Sequence, residues 1–504
     1  MKFNFKAKAT TTTNQEGVKA FKMGPKLELY AAVATAGLND QFYEASDEKL
    51  ARLRELIARN DDDFVAKLAV YAREQMYMRS VPLVLLVEMA KKHRGDGLVG
   101  RLAARVIQRA DEITEVLSYY TMSNDRAGMK QLNKLSKQLQ KGLAEAFNKF
   151  DEYQFAKYNK DAQVKLKDAL FLLHPKAKDE AQQLLFDKIA KDGLQTPYTW
   201  EVEFSALGQK SYDTAELKQA ALKAKWEELV FSNKMGYMAT LRNLRNMLEA
   251  NISEEALDKV CKYLADAGAV AKSKQLPFRF LSAYRELKEV KSGRISMVLD
   301  ALETAVMHSA ANIAGYDANT RVVIAADVSG SMQKTISAKS KIQNFDIGLM
   351  LAMLLQTRCE NVITGMFGDT WKVINVSRKS ILSNVQEFYR REGEVGYSTN
   401  GYLVIKDLLQ RNIVADKVMI FTDCQLWNSN NDERTIAGLW QQYKKKVPGA
   451  KLYLFDLAGY GNTPVNVMDR DVYLIAGWSD KIFNVLRALE SGVDAIDMIQ
   501  GIEL

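Results

Sequence analysis

Asp327, Ser329 and Ser331 set one carboxylate and two hydroxyls at alternate positions of Asp327-Val328-Ser329-Gly330-Ser331. Hard oxygen donors of this kind suit Mg²⁺, with Mn²⁺ as the second choice. Downstream, Gly396-Tyr397-Ser398-Thr399-Asn400-Gly401 adds the Thr399 hydroxyl, with Ser398 as an alternative donor, and Asp423 adds a second carboxylate. Asp327 follows the apolar run Arg321–Ala326, and Asp423 follows Lys417–Thr422. Neither run shows the polar alternation of a half-exposed strand, so each reads as a strand buried on both faces of a parallel sheet. The loops beyond the carboxyl ends of such strands are where open α/β sheets place their ligands. Enzymatic readings fit poorly. Phosphotransfer on Asp327 lacks a second aspartate at 329, a hydrolase elbow needs glycine where Asp327 stands, and two carboxylates are few for a two-metal nuclease.

A second set of residues points to polyanions. Between Lys130 and Lys178 there are eleven lysines against five acidic residues, interleaved with Phe147, Phe150, Tyr153, Phe155, Tyr158 and Phe171. Ammonium groups neutralise phosphates and release counterions. Exposed aromatic rings stack unpaired bases. Lys157, Lys160, Lys167, His174 and Lys176 are the candidate contacts here. Arg242 and Arg245, about one helical turn apart, are two more. The net charge of +8 and pI near 9.0 agree in sign, though charge alone provides steering and not specificity.

The elements that must carry these residues fall into two styles. Residues 1–26 form a polar lead with a Thr10–Thr13 run, expected to be extended until docked. Residues 27–315 read as helix after helix with short joins. The spacing predicts helices over Ser80–Lys92, Leu98–Ile107, Asp111–Tyr119, Lys130–Phe150, Asp161–Leu173, Asp179–Lys191, Thr214–Phe231, Tyr237–Glu249 and Glu254–Ala265, among others, with Ser46 as the N-cap of an earlier helix that carries Leu50, Leu53, Leu56 and Ile57. Successive helix pairs without a strict period predict an α-solenoid of HEAT-like repeats. Residues 316–504 alternate strand and helix, which predicts a doubly wound α/β domain. Seven prolines in 504 residues favour the helical reading. The cysteines (Cys261, Cys359, Cys424) are far apart, and no apolar run reaches the length of a membrane span or a signal peptide. A reducing, cytoplasmic setting without membrane attachment is expected.

The spacing D-x-S-x-S, followed by Thr399 and Asp423, resembles the metal-ion-dependent adhesion site of von Willebrand factor A domains. The resemblance implies that Ser329, Ser331 and Thr399 touch the ion through hydroxyls, and that Asp327 and Asp423 do so directly or through water. A helical array running straight into such a domain resembles the TROVE family, the Ro ribonucleoproteins, most closely its bacterial Ro sixty related members. Four local stretches carry this likeness: Lys157-Tyr158 with Lys167-Asp168-Ala169-Leu170 and His174-Pro175-Lys176; Leu241-Arg242-Asn243-Leu244; Leu276–Tyr284; and Phe421-Thr422-Asp423. It implies a monomeric ring of helical repeats that binds small structured Y-like RNA on a basic surface and single-stranded ends of misfolded RNA in a central hole. It also implies partnership with an exoribonuclease such as polynucleotide phosphorylase. The competing reading is a protein scaffold whose A domain docks an acidic partner side chain through Mg²⁺.

Overall fold

A computed structural model describes residues 10–36, 47–123, 135–159, 162–311, 313–336, 340–427 and 435–504. The Ser46 cap and Lys160 lie outside the described residues. The chain forms two compact units. One comprises residues 39–210 and 496–504, the other residues 1–38 and 211–495.

The first unit is helical. Its helices include Asp62–Val70, Ser80–Lys92, Leu98–Val106, Ala110–Met122, Lys137–Ala146, Glu152–Tyr158, Leu166–Leu173 and Glu180–Ala190. Their apolar stripes meet in a shared core, as stacked helical repeats require. Small residues set the closest approach. A Cβ on Gly142 would lie 2.7 Å from the Ala103 Cβ and 3.1 Å from Gly100 O. Helix Lys137–Ala146 therefore presses Leu139, Gly142, Leu143 and Ala146 inward and leaves Lys137, Lys141 and Glu145 exposed. The carboxyl-terminal residues belong to this unit as well, with Lys67 Nζ donating to Gln500 O at 3.0 Å.

The second unit begins with β1 (Thr11–Thr13) and β2 (Lys19–Lys22), an antiparallel hairpin formed by the polar lead. Helices Ala215–Phe231 to Ile295–Ser309 follow, and then the α/β domain with β3 (Tyr316–Asp327), β4 (Cys359–Phe367), β5 (Trp371–Val373), β6 (Lys417–Thr422), β7 (Lys451–Asp456), β8 (Asn462–Thr463) and β9 (Val472–Ala476). The main sheet has the order β5-β4-β3-β6-β7-β9 and is parallel except for the β5 edge. β2 pairs with β8, Phe21 opposite Thr463, so the hairpin extends a small sheet on the same domain.

Charged contacts tie the later helices to the sheet domain. Arg285, on helix Pro277–Lys288, grips the fully buried Asp346 of helix Asn344–Gln356 through two bonds of 2.8 and 2.5 Å. Glu303 accepts from the N–H groups of Ile381 and Leu382, capping helix Leu382–Arg391. β6 and the Val322–Asp327 end of β3 are buried throughout, and the sheet's chain order reverses between β3 and β6. Open α/β sheets bind ligands at that crevice.

Candidate metal centre and nucleic-acid interface

Asp327 ends β3, and Asp423 stands one residue beyond β6, its immediate neighbour in the sheet. The β3–β6 register (Ala326 opposite Phe421) brings Asp327 level with Thr422, whose hydroxyl donates to Asp327 Oδ2 at 2.6 Å. Asp327 Oδ1 accepts from the Ser329 N–H at 2.9 Å, and the Ser329 and Ser331 hydroxyls lie 3.2 Å apart. Asp423 Oδ1 accepts from the Gln425 N–H at 2.9 Å. Asp423 Oδ2 is buried and accepts no hydrogen bond from the described residues. Asp327, Ser329, Thr399 and Asp423 are all buried, while Ser331 is exposed.

The Thr399 loop is held by close backbone packing. Gly396 sits at φ +71°, and a Cβ there would lie 2.2 Å from Asp369 Oδ2. Asp369 accepts from the Ser398 N–H at 2.9 Å, and the Ser398 hydroxyl beside it holds its carboxyl below the usual carboxylate range. Ser398 thus serves Asp369. Thr399 turns inward, where its hydroxyl oxygen accepts from the Trp427 N–H at 2.8 Å and keeps a second lone pair. The Gly330 N–H donates to Tyr397 O at 2.9 Å, joining the two loops.

The donor set fits a hard divalent cation. Burial raises the Asp327 pKa, and the neighbouring charge of Asp423 raises it further. Burial likewise raises that of Asp423. The Gln425 N–H and the nearby Ser331 hydroxyl oppose the rise, and the Glu16 carboxylate adds to it. Two buried carboxylates competing for protons, one with an unpaired oxygen, are what a cation ringed by hydroxyls would neutralise. Thr422, which orients Asp327, was not singled out in the sequence; its place just before Asp423 was the only signal.

The lysine-rich segment divides. His174 ends helix Leu166–Leu173 in the left-handed region at φ 48°, and its N–H donates to Leu170 O at 3.0 Å. Its ring is exposed and lines an open cleft of about 340 Å³ with Lys137, Gln140, Lys141, Asn148 and Lys176. Asn148 Nδ2 donates to Lys176 O at 2.9 Å, and Lys178 Nζ donates to Asn148 O at 2.9 Å, so the cleft wall is braced from behind. Lys157 is exposed beside the Tyr153 and Tyr158 rings, each 5.6 Å from its ammonium. Lys167 is tied to Asp192 at 2.7 Å. Arg242 and Arg245 belong to the other unit. Both are exposed, and Arg245 pairs with Glu286 at 3.2 Å.

Three of the aromatic residues read as base-stacking candidates are core. Phe147, Phe150 and Phe155 pack on one another at 5.6–5.8 Å and are buried. Tyr153 and Phe171 are the exposed rings, at 46% and 55%, and remain available for stacking. Lys137 and Lys141 belong to the lysine run without standing among its candidate contacts. Their i, i+4 spacing, on the face opposite Leu139 and Leu143, was the signal that marks them as outward.

No helix among the described residues is long and apolar enough to cross a membrane. The three cysteines are buried and unpaired. A family model of the TROVE domain matches residues 32–225 and 193–342, and one of the Ro60 vWA domain matches residues 321–490. Telomerase protein component 1 of Rattus norvegicus is 24% identical over 330 residues, covering 49% of this chain and 12% of that protein. The Mus musculus protein of the same name is 24% identical over 361 residues, covering 56% and 13%. The chain therefore spans a small part of these curated relatives. The crystal structure of Deinococcus radiodurans RO (RSR) protein aligns with a TM-score of 0.59 at 18% identity, over 93% of this chain and 100% of that one, a likeness of fold.

Proposed function

For a chain that belongs to the TROVE family, we propose a non-catalytic role in RNA binding. The observation that carries it is the cleft where Lys137, Lys141, Lys176 and an exposed His174 converge, with Phe171 exposed on the adjoining helix. Lysines there contact phosphates, and His174 contacts a phosphate or a base edge. Exposed Phe171 and Tyr153 stack unpaired bases. Lys157 supplies charge beside Tyr153. Lys167 contributes only by leaving Asp192, and Lys160 joins the same basic segment in sequence. The RNAs that suit such a surface are small structured RNAs of the Y type and the single-stranded ends of misfolded RNA. An exoribonuclease such as polynucleotide phosphorylase is the partner that would consume those ends, with Arg242 and Arg245 as further contacts along the strand. The protein acts as a cytoplasmic monomer in this reading.

The A domain holds a divalent cation, Mg²⁺ by preference, through Asp327, Ser329, Ser331, Thr399 and Asp423. The cation supplies a positive docking point and no catalysis. A second reading, a scaffold that docks an acidic partner through this ion, is favoured by the exposed Trp427 and Tyr397 beside the metal loops. Purified protein tests the first reading. RNA that co-purifies and is removed by ribonuclease, lowering the 260/280 nm absorbance ratio, is the expected result. A nucleic-acid-free preparation that binds no added RNA refutes it.

A further inference from the structure

Cys424, the residue after Asp423, is buried and takes φ 61°, in the left-handed region that a side chain disfavours. A non-glycine residue stays there only where its surroundings hold it. On one side the Cys424 N–H donates to the Thr422 hydroxyl at 3.2 Å. On the other side, at Gln425 and Leu426, the holding contacts come from the amino-terminal hairpin.

Asn14 is buried and donates through Nδ2 to Leu426 O at 2.9 Å. The Gln15 N–H donates to Gln425 Oε1 at 2.9 Å, a contact across 410 positions of sequence. Gln425 is buried as well, and its Nε2 donates to Asn462 Oδ1 at 3.2 Å, on the strand that pairs with β2. The two residues so held are neighbours of the candidate ligands. The Gln425 N–H donates to Asp423 Oδ1 at 2.9 Å. The Trp427 N–H, next after Leu426, donates to the Thr399 hydroxyl oxygen at 2.8 Å and to Thr399 O at 2.9 Å.

The turn that presents these donors is built from its own bonds. Asn14 O accepts from the Gly17 N–H at 3.1 Å, and Gly17 takes φ +75°. Asn14 Oδ1 accepts from the N–H groups of Glu16 and Val18 at 3.1 and 2.9 Å. Asn14 thus uses its oxygens for the turn and its amide nitrogen for the A domain. The hairpin's ladder to β8 spans only Phe21 with Thr463 and Lys22 with Asn462. A two-stranded hairpin is marginal alone, so its docking and the shape of the Asp423 loop support each other.

Resting on the reading of Asp423 and Thr399 as cation ligands, we propose that the amino-terminal hairpin is a positioning element of the cation site. Asn14 and the Gln15 N–H hold residues 425–427, and through them the Asp423 carboxylate and the Thr399 hydroxyl, in the arrangement that takes the ion. The coupling is reciprocal. The ion fastens the hairpin to the domain, and a partner that draws the hairpin away loosens the ion.

The test titrates Mn²⁺ into the full chain, following free Mn²⁺ by electron paramagnetic resonance, with thermal unfolding checking that each variant is folded. Gln15→Pro removes the N–H at the second residue of the turn, where proline is favoured. Gln425→Met removes the side-chain ties and keeps the N–H that bonds Asp423. Tyr453→Phe is the control for general destabilisation, since its hydroxyl donates to Glu490 and not to the metal loops. The expected result is binding weaker by about tenfold in Gln15→Pro and Gln425→Met, lost in Asp423→Asn and unchanged in Tyr453→Phe. Hydrogen exchange of peptides within residues 10–24 supplies the second readout. Saturating Mg²⁺ slows it in wild type by about the same factor and leaves it unchanged in Asp423→Asn. Wild-type affinity in both Gln15→Pro and Gln425→Met, an equal loss in Tyr453→Phe, or hairpin exchange indifferent to Mg²⁺ overturns the hairpin's role and leaves the metal site standing. Absence of Mn²⁺ binding in wild type, or full binding in Asp423→Asn, overturns the metal reading and this inference with it.

Discussion

Replacing Lys137, Lys141 and Lys176 together with glutamine removes three ammonium groups from one cleft without reversing charge. All three side chains are exposed, and their ties are slight: Lys137 Nζ reaches Gln140 Oε1 at 3.3 Å, and Lys141 lies 4.0 Å from Glu145. The fold is therefore expected to survive, which far-ultraviolet circular dichroism checks. If each lysine neutralises one phosphate, the slope of log K against log salt becomes shallower by about 2.7 on duplex RNA and about 2.1 on a single strand. Between about 50 and about 200 mM salt, wild type then loses about 40-fold more affinity than the variant on duplex, and about 20-fold more on single strand. Filter binding across that salt range, on several unrelated sequences, reads both slopes. The loss is expected to be similar for every sequence, because phosphate contacts carry no base information. Parallel salt lines for variant and wild type refute the assignment of this cleft to the RNA backbone.

Mg²⁺ is expected to raise the thermal unfolding midpoint of wild type, by about 2.7 kcal/mol of stability at a hundredfold excess over its Kd. Asp327→Asn and Asp423→Asn should not respond, and an equal rise in all three contradicts the site. In chelator, stability should fall as pH rises above about 3.9, through the raised folded-state pKa values of Asp327 and Asp423, because the fold holds those protons more tightly than the unfolded chain. Saturating Mg²⁺ should remove that fall, and denaturation curves at several pH values with and without Mg²⁺ measure it. Gly396→Ala should cost about 1–3 kcal/mol and weaken Mn²⁺ binding, since its φ of +71° and the 2.2 Å clash with Asp369 both displace the Thr399 loop; unchanged binding speaks against that loop as a ligand. Arg285→Met should cost about 3–5 kcal/mol by stranding the buried Asp346 carboxylate, read as a lower urea midpoint.

The proposed cation loops stand out in the sequence because their oxygen donors sit at fixed short spacings after apolar runs. Strand Lys417–Thr422 and helices Ser80–Lys92 and Glu254–Ala265 appear with the expected bounds. The span Tyr237–Glu249 reads as one helix but breaks at Asn243, whose side chain donates to Ala239 O at 2.9 Å and accepts from Asn246. Local side-chain bonds of this kind compete with the helical ladder and leave no mark in hydrophobic periodicity. Short helices such as Glu152–Tyr158 and Ala267–Ser273, and the three-residue β5, are too brief to show a period. The Thr10–Thr13 run gave strand propensity without a partner. Its partner Lys19–Lys22 is close in sequence, but the strand that continues the small sheet beyond it, Asn462–Thr463, is more than four hundred residues away. Which aromatic residues face solvent was likewise a tertiary question: Phe155 and Phe171 look alike in sequence, yet one is 1% and the other 55% exposed.

RNA bound to the full chain can be crosslinked by ultraviolet light and the modified peptides identified by mass spectrometry. Crosslinks are expected in the peptides carrying Tyr153, Phe171 and His174, around the cleft that Lys137 and Lys141 share. Crosslinks confined to peptides outside residues 137–176, or none at all on a protein saturated with RNA, would contradict RNA recognition by this face.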